Sequence, residues 1–580
     1  MKMKKALFTK FAAAVVLAAL VVPTAMGDKN DNNIASVSRN LDVFNTLYKE
    51  LNAFYVDTIN AKKSIETAIG AMLDDIDPYT EYIPASQQDE FRTITTGEYG
   101  GIGSYIMQRK SGKNGVYISG PYKDSPAAKA GLRPGDRIIM IDNDSVLTWS
   151  SDSVSAHLKG QPNTKVRIVV ERPWVDDSII TVNITREKIT VDPVPYYGVV
   201  HGCIGYINLS TFNEHSAQQV KDAIIELKKN PDVKFLALDL RGNGGGLMES
   251  AIQIVGHFVP KGTQVLVTRG RDKQSEKTYK TTAEPVDTQI PLAVLIDGGS
   301  ASSSEITAGA LQDLDRAVVI GSRSFGKGLV QSTRPLPYDG LLKVTIAKYY
   351  IPSGRLIQEL DYSHRNEDGT AKTIPDSALR VFYTAAGREV REGHGITPDI
   401  KVDYPELTRV VYNIVRDHWA FDFATKYASQ HESIPDPAHF EVTDEIFNEF
   451  KAFIDPEKFN YDKVCEQGLE ALKKLAKAEG YMNDSTTAAF DHLEKMLKHD
   501  LDNDLDINRK EINKALAQEI LDRYYYNKGQ IEYMTRNDET VGKTLEMFAK
   551  PGEYERILSK PVPSEENTAK KTKKTPKAKR

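Results

Sequence analysis

Only two cysteines, Cys203 and Cys465, occur in 580 residues, too few for a disulfide framework or a Cys/His zinc module. They lie far apart in what read as different domains, so two buried free thiols are expected, with a single disulfide as the alternative. The eleven histidines include no HExxH and no paired Cys/His spacing; no metal and no other cofactor is expected. Excess charge of one sign is also missing. Lys and Arg number 75 against 80 Asp and Glu, a formal net charge of −5, which implies no nucleic acid or other polyanion as partner. Beyond the N-terminus no apolar run approaches twenty residues, so no integral membrane segment is expected in the mature chain.

What is present begins with Lys2, Lys4, Lys5 and Lys10, followed by twelve apolar residues from Phe11 to Val22, then Pro23 and the small-residue site Ala25-Met26-Gly27. This is the pattern of a secretory signal peptide over residues 1–27. No cysteine follows, which argues against a lipid anchor. The mature protein is expected to be exported to the periplasm, soluble or at most membrane-associated. With 40% hydrophobic and 27% charged residues, the composition is that of a globular chain long enough for three or four domains.

Residues 34–96 show apolar positions at three-to-four spacing, broken at Asp77-Pro78, and read as a helical N-terminal domain. Residues 97–186 consist of short strand patterns punctuated by glycine, and residues 187–404 alternate strand and helix patterns. From 405 to 560 the pattern is helical, with Ile512, Leu516 and Ile520 on one face. Residues 561–580 end in KKTKKTPKAKR, seven positive charges without apolar pattern, expected to be a disordered tail. Asp500, Asp502, Asp504, Asp506, Asn508 and Glu511 take the spacing of a calcium loop, but Leu505 stands where the sharp turn needs glycine; acidic residues at a helix start explain them better.

The organising stretch is Leu292 to Gln331, LAVLIDGGSASSSEITAGALQDLDRAVVIGSRSFGKGLVQ. An apolar run of strand length leads through a Gly-Gly-Ser turn to a helix-period segment, which puts Ser302 on a strand-to-helix turn, near free N–H groups and the positive end of the helix dipole. Ser302 with Glu305 also fits a capping box, a purely structural role. Downstream, Lys327, Leu329 and Gln331 alternate at period two, so an extended chain puts the lysine and the glutamine on one face. Serine and lysine on neighbouring elements are a candidate nucleophile and base. Gly321, Gly326 and Lys327 match part of a phosphate-binding loop, yet Gly328 replaces the Ser or Thr and a strand pattern follows where a helix is required.

The ordered motifs SASSSEITAGALQD, RAVVIG, SFGKGLVQ, KYYIPSGRLIQ and GHGITPDI resemble the C-terminal processing (tail-specific) serine proteases. The resemblance implies a multidomain α+β protein: helical N-terminal segment, PDZ domain, α/β crotonase-like serine protease core and C-terminal helical domain. It assigns the nucleophile to Ser302, the general base to Lys327 and the residue that orients it to Gln331. Many members have alanine where this chain has Ser303. A lowered pKa is then expected for Lys327, imposed by burial against apolar neighbours such as Phe325. The family's Asn-Pro-Gly-Gly appears as Asn243-Gly244-Gly245-Gly246, which maps the oxyanion donors to the N–H groups of Gly245 and Ser303 and removes a rigidifying proline. YGGIGSYI and the segments after it resemble a PDZ domain, whose loop Ile102, Gly103 and Ser104 is expected to receive the C-terminal carboxylate of protein or peptide substrates. Helical segments like the N-terminal one often dimerise in this family, so a homodimer is a further expectation. The competing reading, a PDZ scaffold on a decayed protease core, requires a lost catalytic residue, and none of the three is lost.

Overall fold

The computed structural model describes residues 30–559 apart from 111–112, 177, 405 and 461–463. The signal peptide and the basic tail expected from the sequence lie outside the described residues. The chain up to Tyr82 forms a unit of its own built on helices α1 (Asn30–Phe54) and α2 (Ala61–Asp74). Asn60 caps α2 by accepting from the N–H of Lys63 at 3.0 Å. Val37, Leu41, Phe44, Leu47 and Leu51 form an exposed apolar stripe along α1 at helical spacing.

The second unit begins with a helix at Gln88–Thr96, after which come strands β1 (Glu98–Gly101), β2 (Ser104–Arg109), β3 (Gly115–Pro121) and β4 (Arg137–Ile141), then helix α3 (Ser151–Leu158) and strands β5 (Lys165–Glu171), β6 (Ile179–Thr185) and β7 (Glu187–Thr190). The sheet runs β2-β3-β4-β5-β6, and β1 pairs with β7 antiparallel. Val166, Ile168 and Val170 alternate along β5 into a core shared with Ile118, Ile138, Val154 and Leu158.

Strand β8 (Tyr196–Val200) and strand β9 (Ile204–Asn208) open a six-stranded sheet, followed by α4 (Ser216–Leu227), β10 (Phe235–Asp239), α5 (Met248–Gly256), β11 (Gln264–Gly270) and β12 (Lys277–Lys280). Strand β13 (Leu292–Ile296), helix α6 (Ser303–Asp313), β14 (Val318–Gly321), the hairpin β15 (Leu329–Leu336) and β16 (Gly340–Tyr350), and β17 (Ile400–Lys401) come next. The main sheet has the order β8-β9-β10-β13-β14-β17, parallel from β9 onward. Beside it β16 pairs antiparallel with both β15 and β11.

The run LAVLI is buried throughout because both faces of the sheet are covered. Leu292, Val294 and Ile296 pack on the side of α4, α5 and α6. Ala293 and Leu295 pack on the other side, against Val541, Met547 and Phe548. Those three come from the far end of the chain, where α7 (Arg409–Arg416), α8 (Trp419–Gln430), α9 (Asp444–Phe453), α10 (Val464–Ala478), α11 (Asp484–Leu497), α12 (Leu501–Ile507), α13 (Arg509–Arg536), α14 (Glu539–Ala549) and α15 (Glu553–Leu558) follow in order. Ile512, Leu516 and Ile520 of α13 are buried together, on one face as their spacing requires. The run from Asp500 is a helix rather than a calcium loop: Asp500 caps α12, accepting from the N–H groups of Asp502 and Asn503. Both cysteines are free, but neither is buried. Cys203 sits in the exposed turn between β8 and β9, and Cys465 on α10, a helix without a buried residue.

Candidate active site

Three loops leave the carboxyl ends of neighbouring parallel strands: 240–247 after β10, 297–302 after β13 and 322–328 after β14. That end of an α/β sheet is where ligands bind. Ser302 ends the middle loop with φ 55° and ψ −110°, a backbone state sparsely populated by residues other than glycine. Such strain persists only where the surroundings over-determine it. Here the N–H of Ser302 donates to Glu305 Oε2 at 2.9 Å, and its carbonyl accepts from Ile306 at 2.9 Å.

Glu305 is fully buried and does more than cap the helix. The same Oε2 accepts from the N–H of Lys327 at 2.9 Å, while Oε1 accepts from Ser324 Oγ at 2.6 Å and from the N–H of Gly326 at 2.7 Å. One carboxylate thus joins the Ser302 turn to the loop carrying Lys327. Burial pushes its carboxyl up to about 7, with the four donors pulling the other way. A second staple comes from β16, where buried Tyr349 donates from Oη to the carbonyl of Lys327 at 2.7 Å and lies 3.3 Å from that of Ser302. Lys327 and Ser302 are themselves half-buried. Phe325, expected to wall off the lysine, is instead 49% exposed, although its N–H is anchored to the carbonyl of buried Ser300 at 3.0 Å. After Lys327 the chain enters β15, so no helix N-terminus is present to hold phosphate. Gln331 lies opposite Thr345 on β16, and its Nε2 donates to Thr345 Oγ1 at 3.1 Å.

The glycine loop is strapped to the serine turn. Asn243 accepts at its carbonyl from the N–H of Ala301 at 3.0 Å and from Ser304 Oγ at 2.7 Å. Its buried side chain donates to the carbonyl of Leu209 at 2.7 Å, and Asp297 Oδ1 accepts from the N–H of Gly242 at 2.9 Å. These bonds fix the loop at Gly242 and Asn243, next to the position where the proline is missing. Gly245 has φ +99°, and a Cβ there would stand 2.7 Å from the carbonyl oxygen of Ala301 and 2.9 Å from Ser302 Cβ, so only glycine fits. The two N–H groups expected to hold an oxyanion differ. That of Ser303 has no acceptor among the described residues, whereas that of Gly245 donates to Asn243 Oδ1 at 2.9 Å. The sequence missed this, because an asparagine folding back on its own loop leaves no spacing signal.

Near the start of the second unit Gly103 has φ +73°, and the N–H groups of Ile102 and Gly103 have no acceptor among the described residues. Beside them β2 pairs on one edge with β3 and turns its other edge toward α3.

Three family models match the chain: "Peptidase family S41" over residues 203–363, "PDZ domain" over 117–172, and "Probable PDZ-protease, C-terminal helical domain" over 410–548. Among curated relatives, the "Carboxy-terminal-processing protease" of Bartonella bacilliformis is 36% identical over 351 residues, covering 60% of this chain and 79% of that protein. The chain belongs to the carboxy-terminal-processing serine proteases. A second relative, the "Probable CtpA-like serine protease" of Staphylococcus aureus, is 31% identical over 477 residues, 80% of this chain and 83% of that one. A solved photosystem II D1 C-terminal processing protease is 28% identical over 61% of this chain and 88% of its own, with a TM-score of 0.34. The protease therefore combines a PDZ domain, an S41 core and a C-terminal helical domain. Glu305 and Tyr349, which tie the site together, were not assigned that part by the sequence. Glu305 was visible only as a cap, and Tyr349 only as one letter of a motif.

Proposed function

We propose that this C-terminal processing protease is an exported endopeptidase with Ser302 as nucleophile and Lys327 as general base. The observation that carries the reading is the joint suspension of the Ser302 and Lys327 segments from Glu305 and Tyr349, with Ser302 held at a strained φ on a strand-to-helix turn. Ser302 Oγ attacks the scissile carbonyl while the neutral Lys327 amine takes its proton and returns it to the leaving amine. Water then attacks the acyl-enzyme by the same route in reverse. An ordinary lysine, with pKa ~10.4, is neutral in only about one molecule in 2,500 at pH 7, so activity rises with pH through the neutral range. Gln331, four residues beyond Lys327 and fixed by Thr345, orients the amine. The N–H of Ser303 is the first oxyanion donor, and that of Gly245 joins it once released by Asn243.

The PDZ domain supplies substrate. The N–H groups of Ile102 and Gly103, with that of Ser104, take the C-terminal carboxylate, and the peptide adds as a strand to the edge of β2. Paired α1 helices of two copies bury the apolar stripe in a homodimer. Residues 1–27 direct export to the periplasm. The deciding experiment is cleavage of an unfolded protein by wild type and by Ser302→Ala. The variant should bind tail peptides and cut nothing; retained cleavage, or a dead Ser303→Ala beside an active Ser302→Ala, moves the nucleophile elsewhere.

A further inference from the structure

Arg241 leads into the glycine loop, and its guanidinium is gripped from two sides. From its own strand end Asp239 accepts from Nε at 3.0 Å and from Nη2 at 2.6 Å, and Tyr206 Oη donates to the same carboxylate at 2.6 Å. From the C-terminal helical layer Asp538 Oδ2 accepts from Nη1 at 2.7 Å. The three side chains are 17%, 3% and 15% exposed for Arg241, Asp239 and Asp538. Burial works against the guanidinium charge, but the two carboxylates outweigh it and hold the group more firmly protonated than usual. The other oxygen of Asp538 accepts from the N–H of Val541 at 2.9 Å and so caps α14. That helix cannot shift freely, since Val541, Met547 and Phe548 are packed on the sheet. One carboxylate therefore links a helix locked on the back of the sheet to the residue that opens the loop carrying Gly245.

We propose that Asp538 is a positioning residue for proteolysis, holding the 242–246 loop at Ser302 through Arg241, so that the C-terminal helical domain sets the oxyanion site. It touches no reacting atom. The inference rests on the assignment of Ser302 and of the glycine loop given above.

The test is Asp538→Asn in the full chain. The amide oxygen still accepts from Val541, so the cap survives, but the charge facing Arg241 is gone. We expect kcat on a short peptide to fall about tenfold with KM unchanged, since only transition-state contacts are weakened. Affinity for a peptide aldehyde, whose tetrahedral adduct occupies the oxyanion site, should weaken by the same factor, and PDZ-peptide affinity and the thermal midpoint should stay at wild-type values. Asp538→Glu should recover part of kcat. Wild-type kcat in Asp538→Asn beside an inactive Ser302→Ala overturns this proposal alone. A rise in KM at constant kcat, or a loss of kcat that the aldehyde does not share, overturns it as well. Cleavage by Ser302→Ala overturns the nucleophile assignment, and with it the oxyanion role of the loop.

Discussion

Replacing Glu305 by glutamine separates two forces that oppose each other in this site. In the folded chain burial pushes the carboxyl from its ordinary 4.5 up to about 7, so between those values the folded state keeps a proton that the unfolded state has released. Stability therefore falls as pH rises from 4.5 toward 7, by about 3 kcal/mol in total. Glutamine does not titrate. Its oxygen can accept from Ser302 and Lys327 in place of Oε2, which turns the amide nitrogen toward Ser324 Oγ and the N–H of Gly326. Orphaning the Gly326 donor costs about 1–3 kcal/mol, but the protonated carboxyl suffers much of the same conflict at low pH. Between pH 5 and pH 8 the variant should thus gain about 2–3 kcal/mol relative to wild type. The assay is denaturant unfolding at both pH values in the Ser302→Ala background, where the protein cannot digest itself. A variant that is several kcal/mol less stable than its parent at pH 8 refutes the reasoning: the four donors would then hold the carboxylate ionised against burial. On turnover, Glu305→Gln should stay within about tenfold of wild type, whereas Glu305→Ala releases both segments and should lose ~100-fold or more.

Gly245→Ala should abolish turnover, because its Cβ meets the carbonyl of Ala301 and the side chain of Ser302; Gly244→Ala, with no atom within 4 Å of the added group, should keep kcat/KM within about threefold of wild type. Lys327→Arg should show no measurable peptide cleavage at any pH up to 9, since a guanidinium does not give up its proton there. Arg109 on β2 is bidentate to Asp422 on α8 at 2.7 and 2.8 Å and ties the PDZ domain to the helical domain; Arg109→Met should remove about 1–2 kcal/mol of docking and speed limited proteolysis near 173–178 about 5- to 30-fold. An unchanged digestion rate counts against that contact as the tether.

Much of this architecture was legible because local pattern and burial agree. LAVLI is a continuous apolar run because helices cover both faces of its sheet, and Ile512, Leu516 and Ile520 share a stripe because α13 has one buried side. Ser302 was legible as a turn residue with an acid three positions on. What stayed hidden depends on contacts between segments distant in sequence. Glu305 collects donors from 324, 326 and 327 as well as from Ser302, and Tyr349 reaches back to Ser302 and Lys327; the bond by which Asn243 holds Gly245 is local, but no periodicity records it. Phe325 misled because an aromatic side chain reads as buried, whereas here its backbone is anchored to buried Ser300 and the ring is half exposed. Nor does helix periodicity reveal that α14 serves the protease sheet rather than its neighbouring helices.

The covering of that sheet by α14 also sets an order of events during synthesis. Strands β8 to β14 can pair and bury one face against α4, α5 and α6 as soon as they exist. Their second face, with Ala293 and Leu295, has no cover until Val541, Met547 and Phe548 have been made. Closing so long a loop is a late and slow step. A nascent or truncated chain would already contain Ser302, Lys327 and Gln331 yet expose an apolar sheet face where the finished enzyme has a helix. Synthesis of α14 thus becomes a condition for a fully covered protease sheet.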